Sequence, residues 1–157
     1  MQDGAYKEMN ILTFNLAKEE YGLDISNVYE VLKEQKIHPL PGAPDFVEGV
    51  INIRGHIIAV IDLKKKLLIT PAAGPQTSRI IVCRVKDFIV GLIVDGANEV
   101  LSMTSEQIES TPAVLSGKKD EGVISGIARI GARVITLLDL CNVLTNDEAE
   151  KFSRVKS

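Results

Sequence analysis

The chain carries two copies of one pattern, and that repeat constrains its fold more than any other feature. At an offset of 77, Gly49 meets Gly126, Ile53 meets Ile130, Ile58 meets Ile135, Asp62 meets Asp139, Leu63 meets Leu140 and Leu67 meets Leu144, with no gap between them. Earlier in the chain an offset of 69 pairs Gly22 with Gly91, Leu23 with Leu92, Glu30 with Glu99, Val31 with Val100 and Leu32 with Leu101. The offset grows by eight, so the second copy carries an eight-residue longer loop between Ser102 and Ser125. Such self-similarity defines two homologous halves, 9–69 and 78–145, joined by a linker over 70–77 and flanked by tails at 1–8 and 146–157.

Within each half the apolar period is two. Leu12, Phe14 and Leu16 alternate with Ile11, Thr13 and Asn15, and Ile81, Cys83 and Val85 continue the pattern in the second copy, which predicts short strands rather than helices. Composition agrees. Ile and Val together number 33 while Ala numbers 11, and β-branched side chains are stiff at χ1 and pack well on a pleated surface. The first half reads as strands over Ile11–Leu16, Glu20–Ile25, Val28–Leu32, Val50–Ile53 and His56–Ile61. A sheet this small removes its exposed edges by curling into a barrel. Asp62 precedes Leu63-Lys64-Lys65-Lys66-Leu67 and Asp139 precedes Leu140-Cys141-Asn142-Val143-Leu144, so each carboxylate is read as the N-cap of a short helix rather than as half of an acid/base pair. The tail from Asn146, rich in both charges, is read either as a short solvated helix or as disordered.

Several functions are disfavoured at this level. The net charge is -3 and Trp is absent, so neither a basic footprint nor a stacking platform points to nucleic acid. The longest uncharged apolar run is the seven residues from Phe88 to Val94, against the roughly 20 needed to span a bilayer, and the start Met1-Gln2-Asp3-Gly4 lacks the parts of a signal peptide. A cytoplasmic protein without membrane insertion is expected. Cys83 and Cys141 are expected to be buried small hydrophobes in a reducing compartment. His38 and His56 are the only histidines and have no Cys, Asp or Glu at metal-like spacing. There is no Gly-x-Ser-x-Gly motif, and Gly91 to Gly96 lacks the Lys-Ser/Thr of a phosphate-binding loop. No catalytic residue, metal or cofactor is therefore expected.

The turn between the last two predicted strands of the first half holds Arg54-Gly55, where the second copy has Gly131-Ala132. An Arg at a stiff hairpin tip, beside Asn52, presents planar donors suited to a protein interface, while the plainer reading is a solvated turn residue.

Along most of the chain, from Met9 to Leu144, the sequence resembles the chemotaxis coupling protein family, CheW. The resemblance rests on Glu20-Tyr21-Gly22-Leu23-Asp24-Ile25 with Val28-Tyr29-Glu30-Val31, on Pro39-Leu40-Pro41 and Pro44-Asp45-Phe46, on Gly49-Val50-Ile51-Asn52-Ile53-Arg54-Gly55, on Ile58-Ala59-Val60-Ile61-Asp62-Leu63, and on Gly91-Leu92-Ile93-Val94-Asp95 with Glu99-Val100-Leu101. It implies an all-β fold of two five-stranded, SH3-like β-barrels packed on a shared apolar core. It also implies a non-catalytic adaptor that bridges the cytoplasmic tips of methyl-accepting chemoreceptors to the regulatory domain of the histidine kinase CheA, within receptor arrays. Receptor-facing positions of that family fall here on Val28, Glu30, Gly49, Arg54 and Val100, and the interface is expected to include Asn52 and Gly55. The kinase contact is expected at an end of one barrel in the first half. For Val28 and Val100 the competing reading is plain strand core, and for Gly49, matched by Gly126, a required backbone geometry. Glu30, matched by Glu99, has an open structural role. Two alternatives stand beside the adaptor: a regulator of this fold that docks at receptors without coupling a kinase, and a small β-barrel enzyme with a site between the barrels.

Overall fold

A computed structural model describes residues 8–109 and 122–155. The expectations for the 1–8 tail and for the longer loop before Ser125 fall largely outside the described residues. The strands are β1 (Glu8–Leu16), β2 (Glu19–Asp24), β3 (Val28–Leu32), β4 (Val47–Ile53), β5 (His56–Asp62), β6 (Arg79–Val85), β7 (Phe88–Val94), β8 (Ala97–Thr104), β9 (Ile108–Glu109), β10 (Ile124–Ile130) and β11 (Arg133–Leu138). Helix α1 (Leu63–Lys66) follows β5, and α2 (Asn146–Val155) lies in the C-terminal tail, as the first of the two readings of that segment has it.

The strands form two sheets, ordered β8-β1-β2-β11-β10-β9 and β3-β6-β7-β5-β4. Strand for strand β8-β1-β2-β11-β10 matches β3-β6-β7-β5-β4, with β9 added at the edge of the first sheet, and these are the two SH3-like barrels that the family resemblance implies. The halves of the sequence, however, are not the two sheets. Each half gives its first two strands to the other copy: β1 and β2 sit among β8, β10 and β11, while β6 and β7 sit among β3, β4 and β5. Each exchanged pair joins its new sheet on both sides, antiparallel on one (β1 with β8, β6 with β3) and parallel on the other (β2 with β11, β7 with β5); these two are the only parallel pairings among the described strands.

The bulges that curl the sheets also repeat. Tyr29 is the extra residue of β3 opposite β6, and Asn98, 69 positions later, is the extra residue of β8 opposite β1. Glu48 in β4 and Ser125 in β10, 77 apart, form the second bulged pair. An unpaired residue of this kind bends a strand and increases its twist, which is how a five-stranded sheet turns through a barrel's circumference. In the β3 to β7 barrel the circle is completed after β3, where His38 and Val50 exchange two backbone hydrogen bonds of 2.9 Å. In the other barrel the short strand β9 pairs with β10 in the same place.

Three apolar clusters fill the molecule. Ile11, Met103, Ala128, Ile135 and Leu137 occupy one barrel, and Ile51, Ile58, Val60, Ile80 and Val82 occupy the other. The largest cluster lies in the seam, where Phe14, Leu16 and Leu23 from one sheet meet Ile61, Ile81, Cys83 and Leu92 from the other, so the shared core follows from the strand exchange. Thr13 takes the place that Val82 holds in the second copy. It is fully buried and is satisfied at the β8 bulge, its hydroxyl donating to the Glu99 carbonyl and accepting from the Glu99 N–H.

One charged group also crosses the seam. Asp95, at the end of β7, receives the Ala17 N–H at 2.7 Å from the β1–β2 turn and the Lys64 ammonium at 2.6 Å from α1, and both side chains are nearly enclosed. Asp95→Ala is expected to lower stability by about 3 kcal/mol, because removing one partner of a buried pair strands the other charge. Urea unfolding measures this, and a loss under about 1 kcal/mol would mean that the pair is solvated enough to contribute little.

Both predicted caps form. The Asp62 carboxylate accepts the N–H groups of Lys64 and Lys65, and that of Asp139 accepts the Cys141 N–H at the start of a single 3-10 turn, Leu140–Asn142. That turn corrects the expectation for Cys141, which is exposed. Leu140, Val143 and Leu144 share the inward face of the turn, and the intervening Cys141 and Asn142 point to solvent. Cys83 is buried as expected, and burial pushes its thiol up to about 12. A thiol reagent is expected to label one cysteine in the native protein and the second only on unfolding; two native thiols reacting together would contradict the burial of Cys83.

Candidate functional site

The β4–β5 hairpin closes through two residues, both in the left-handed region: Arg54 at φ +50° and Gly55 at φ +88°. That is the type I′ turn whose twist matches the flanking strands. Gly55 adopts it freely, whereas a residue with a Cβ at the first position costs about 1–2 kcal/mol. Asn52 compensates locally, its side-chain oxygen accepting the Gly55 N–H at 2.9 Å. In the second copy Gly131 takes the positive φ, at +60°, without the side-chain strain.

From that tip Arg54 pairs with Glu30 on β3. In the sheet order β3 and β4 are the two ends, so the pair spans the line along which the barrel closes. Arg54 is 72% exposed and Glu30 28%, and an ion pair this wet adds little to stability. Beneath it lies an open hollow of about 390 Å³ lined by Tyr29, Ile57, Phe88 and Ile89 together with Glu30 and Arg54. Tyr29, Ile57 and Ile89 are each about half exposed, which makes this an apolar face with a charged pair at its rim.

The structure thus gathers Glu30, Asn52, Arg54 and Gly55 and separates the rest. Gly49 stands where β4 passes the closing segment; a Cβ there would lie 2.2 Å from the His38 carbonyl oxygen, so its role is backbone geometry. Val28 is half-buried and packs against the shared core. Val100 is 52% exposed, but on β8 of the other sheet. Val31, its counterpart in the first copy, is also exposed.

The second barrel contains a counterpart of the ion pair that position-by-position alignment hides. Gly131 stands opposite Arg54, yet Arg133, two residues further on, reaches Glu99, the counterpart of Glu30, at 3.0 Å. Arg133 also binds Glu20 at 2.6 Å, and its hydrogen bonds to Glu20 and then Glu99 hold the guanidinium more firmly protonated. Sequence reasoning missed Arg133; the repeated glutamate, Glu30 and Glu99, is the signal from which it could have been sought. Among the described residues no group of three or more His, Cys, Asp or Glu is placed to hold a metal ion, and no helix is long and apolar enough to cross a membrane.

Two duplicated barrels with exchanged strands, in the motif order set out above, make a specific combination. Residues 10–148 match the family model of the CheW-like domain. The chain belongs to the CheW family. Relatives include the chemotaxis protein CheW of Thermotoga maritima, 36% identical over 89% of this chain and 90% of that protein, and that of Klebsiella aerogenes, 34% identical over 87% and 82%. Among solved structures, the scaffolding protein TtCheW from Thermoanaerobacter tengcongensis superposes with a TM-score of 0.81 at 38% identity, covering 90% of this chain and 96% of that one. The CheW fold and a scaffold role in chemotaxis are thereby established for the chain, and the hairpin tip with its hollow is the most developed candidate surface on it.

Proposed function

We propose that this CheW-family chain couples methyl-accepting chemoreceptors to the histidine kinase CheA, binding both and catalysing nothing. The observation that carries the reading is the exposed Arg54–Glu30 pair at the rim of an apolar hollow. A helical receptor tip or the end of another barrel is recognised through apolar anchors with a few charges that set register, and this face offers both. Glu30, Arg54 and Gly55 are accessible to a partner, and Val100 offers a separate exposed apolar position on the second barrel. Val28, Gly49 and Asn52 serve the interface through the fold that holds it. The two barrels and their charged edges would place receptor and kinase on one rigid body in the cytoplasm, beside the receptor array.

The test is to mix the purified chain with a CheA regulatory domain and with a receptor cytoplasmic tip, separately and together, and follow assembly by sedimentation. Binding to each, and a larger complex with both, is expected. Binding to the receptor alone would favour a regulator that does not couple a kinase. Binding to neither would remove the proposal.

A further inference from the structure

The first hairpin departs from a simpler solution that the same chain uses. The second-copy hairpin closes by a different two-residue turn in which Gly131 alone has positive φ and no side chain is held left-handed, whereas the first copy holds Arg54 in a left-handed conformation and adds the Asn52 side chain to brace it. A strained backbone beside a dedicated brace marks a side chain whose direction matters. We propose that Asn52 is a positioning residue that acts through Arg54: by holding the Gly55 N–H it fixes the left-handed turn, and the turn aims the guanidinium at Glu30 and at the rim of the hollow. Arg129 occupies the position 77 residues later, in a copy whose turn begins with glycine and whose Arg133 reaches its glutamates from the strand rather than from the tip. That copy has no side-chain acceptor at the position of Asn52. The proposal rests on the reading of Arg54 as an interface residue and assigns how that residue is oriented.

A double-mutant cycle separates this from a plain structural role. Binding of a CheA regulatory domain and of a receptor cytoplasmic fragment is measured by titration for the full chain, Asn52→Ala, Arg54→Ala and the double variant, and for Asn52→Asp, which keeps the acceptor. Asn52→Ala is expected to weaken the Arg54-dependent partner about tenfold, about 1.4 kcal/mol, with Asn52→Asp within about twofold of the parent. In the Arg54→Ala background Asn52→Ala is expected to have no further effect. An equal loss in both backgrounds would show that Asn52 acts without Arg54 and overturn the proposal, as would parental binding by Asn52→Ala. If Arg54→Ala itself binds both partners normally, the interface reading falls and the positioning role with it, a result distinct from failure of Asn52 alone. Amide exchange at Gly55 reports loss of the brace directly.

Discussion

Gly49→Ala is expected to destabilise the protein by about 4 kcal/mol, the sum of a strained backbone and two closing hydrogen bonds. Gly49 has φ +147°, a conformation that residues with a Cβ rarely adopt, and the new Cβ would lie 2.2 Å from the His38 carbonyl oxygen and 2.8 Å from its carbon. Backbone cannot swing aside as a side-chain end can. The His38 segment is fixed on β4 by the reciprocal bonds with Val50, so either that bridge opens or β4 moves. Both outcomes undo barrel closure. Gly126 is the internal control: its Cβ would meet the Glu109 carbonyl oxygen at 2.9 Å, and its φ is not in the left-handed range, so Gly126→Ala is expected to cost less. Urea melts of the two variants measure the difference, and a Gly49→Ala protein within about 1 kcal/mol of the parent would mean that the closing segment yields. The same geometry says how a Gly49 variant that fails to bind partners is to be understood: it has lost the barrel, and a contact at Gly49 is not needed to explain the failure.

Strand positions were legible in the sequence because an aliphatic period of two is a local signal, and its repetition at a fixed offset doubled it. The five strands expected in the first half are those observed: β3 has the expected bounds, β2 is shifted by one residue, and β1, β4 and β5 are longer by one to three residues. Pairing was not legible. An offset aligns β1 with β6 whether each pairs within its own half or with the other, and the choice is made by the seam, where Phe14 and Leu23 are buried against Ile81 and Leu92 across a sequence separation no local pattern encodes. Cys141 was misplaced for a similar reason, since a single 3-10 turn converts a run of apolar residues into alternating inner and outer positions. At the site the sequence marked Arg54, Glu30 and Asn52. It did not mark Tyr29, Ile57 and Ile89, because exposed apolar residues on a strand have the same pattern as buried ones until the outer face of the barrel is known. Nor did it mark Arg133, whose two-residue displacement breaks alignment while preserving the charge pair in space.

Arg54→Glu is expected to abolish assembly with receptor and kinase while leaving the fold within about 0.5 kcal/mol of the parent, the usual range for an exposed turn position. The stability half follows from exposure. The pair with Glu30 is largely solvated, so its loss removes little, and the left-handed strain at position 54 is common to both side chains. The new glutamate faces Glu30 across water, where like charges repel weakly. The binding half follows from desolvation. A partner covering the hollow would enclose two carboxylates where it now finds a neutralised pair, and like charges juxtaposed in a dry interface cost several kcal/mol, enough for a loss of about a hundredfold or more. Water screens the defect in the free protein and is expelled in the complex, so one substitution has unequal effects in the two states. Thermal melts with pull-downs on a CheA regulatory domain and a receptor tip read both states. If the variant melts early, the pair is a closing strut of the barrel; if it melts normally and still assembles, the hairpin tip lies outside the interface.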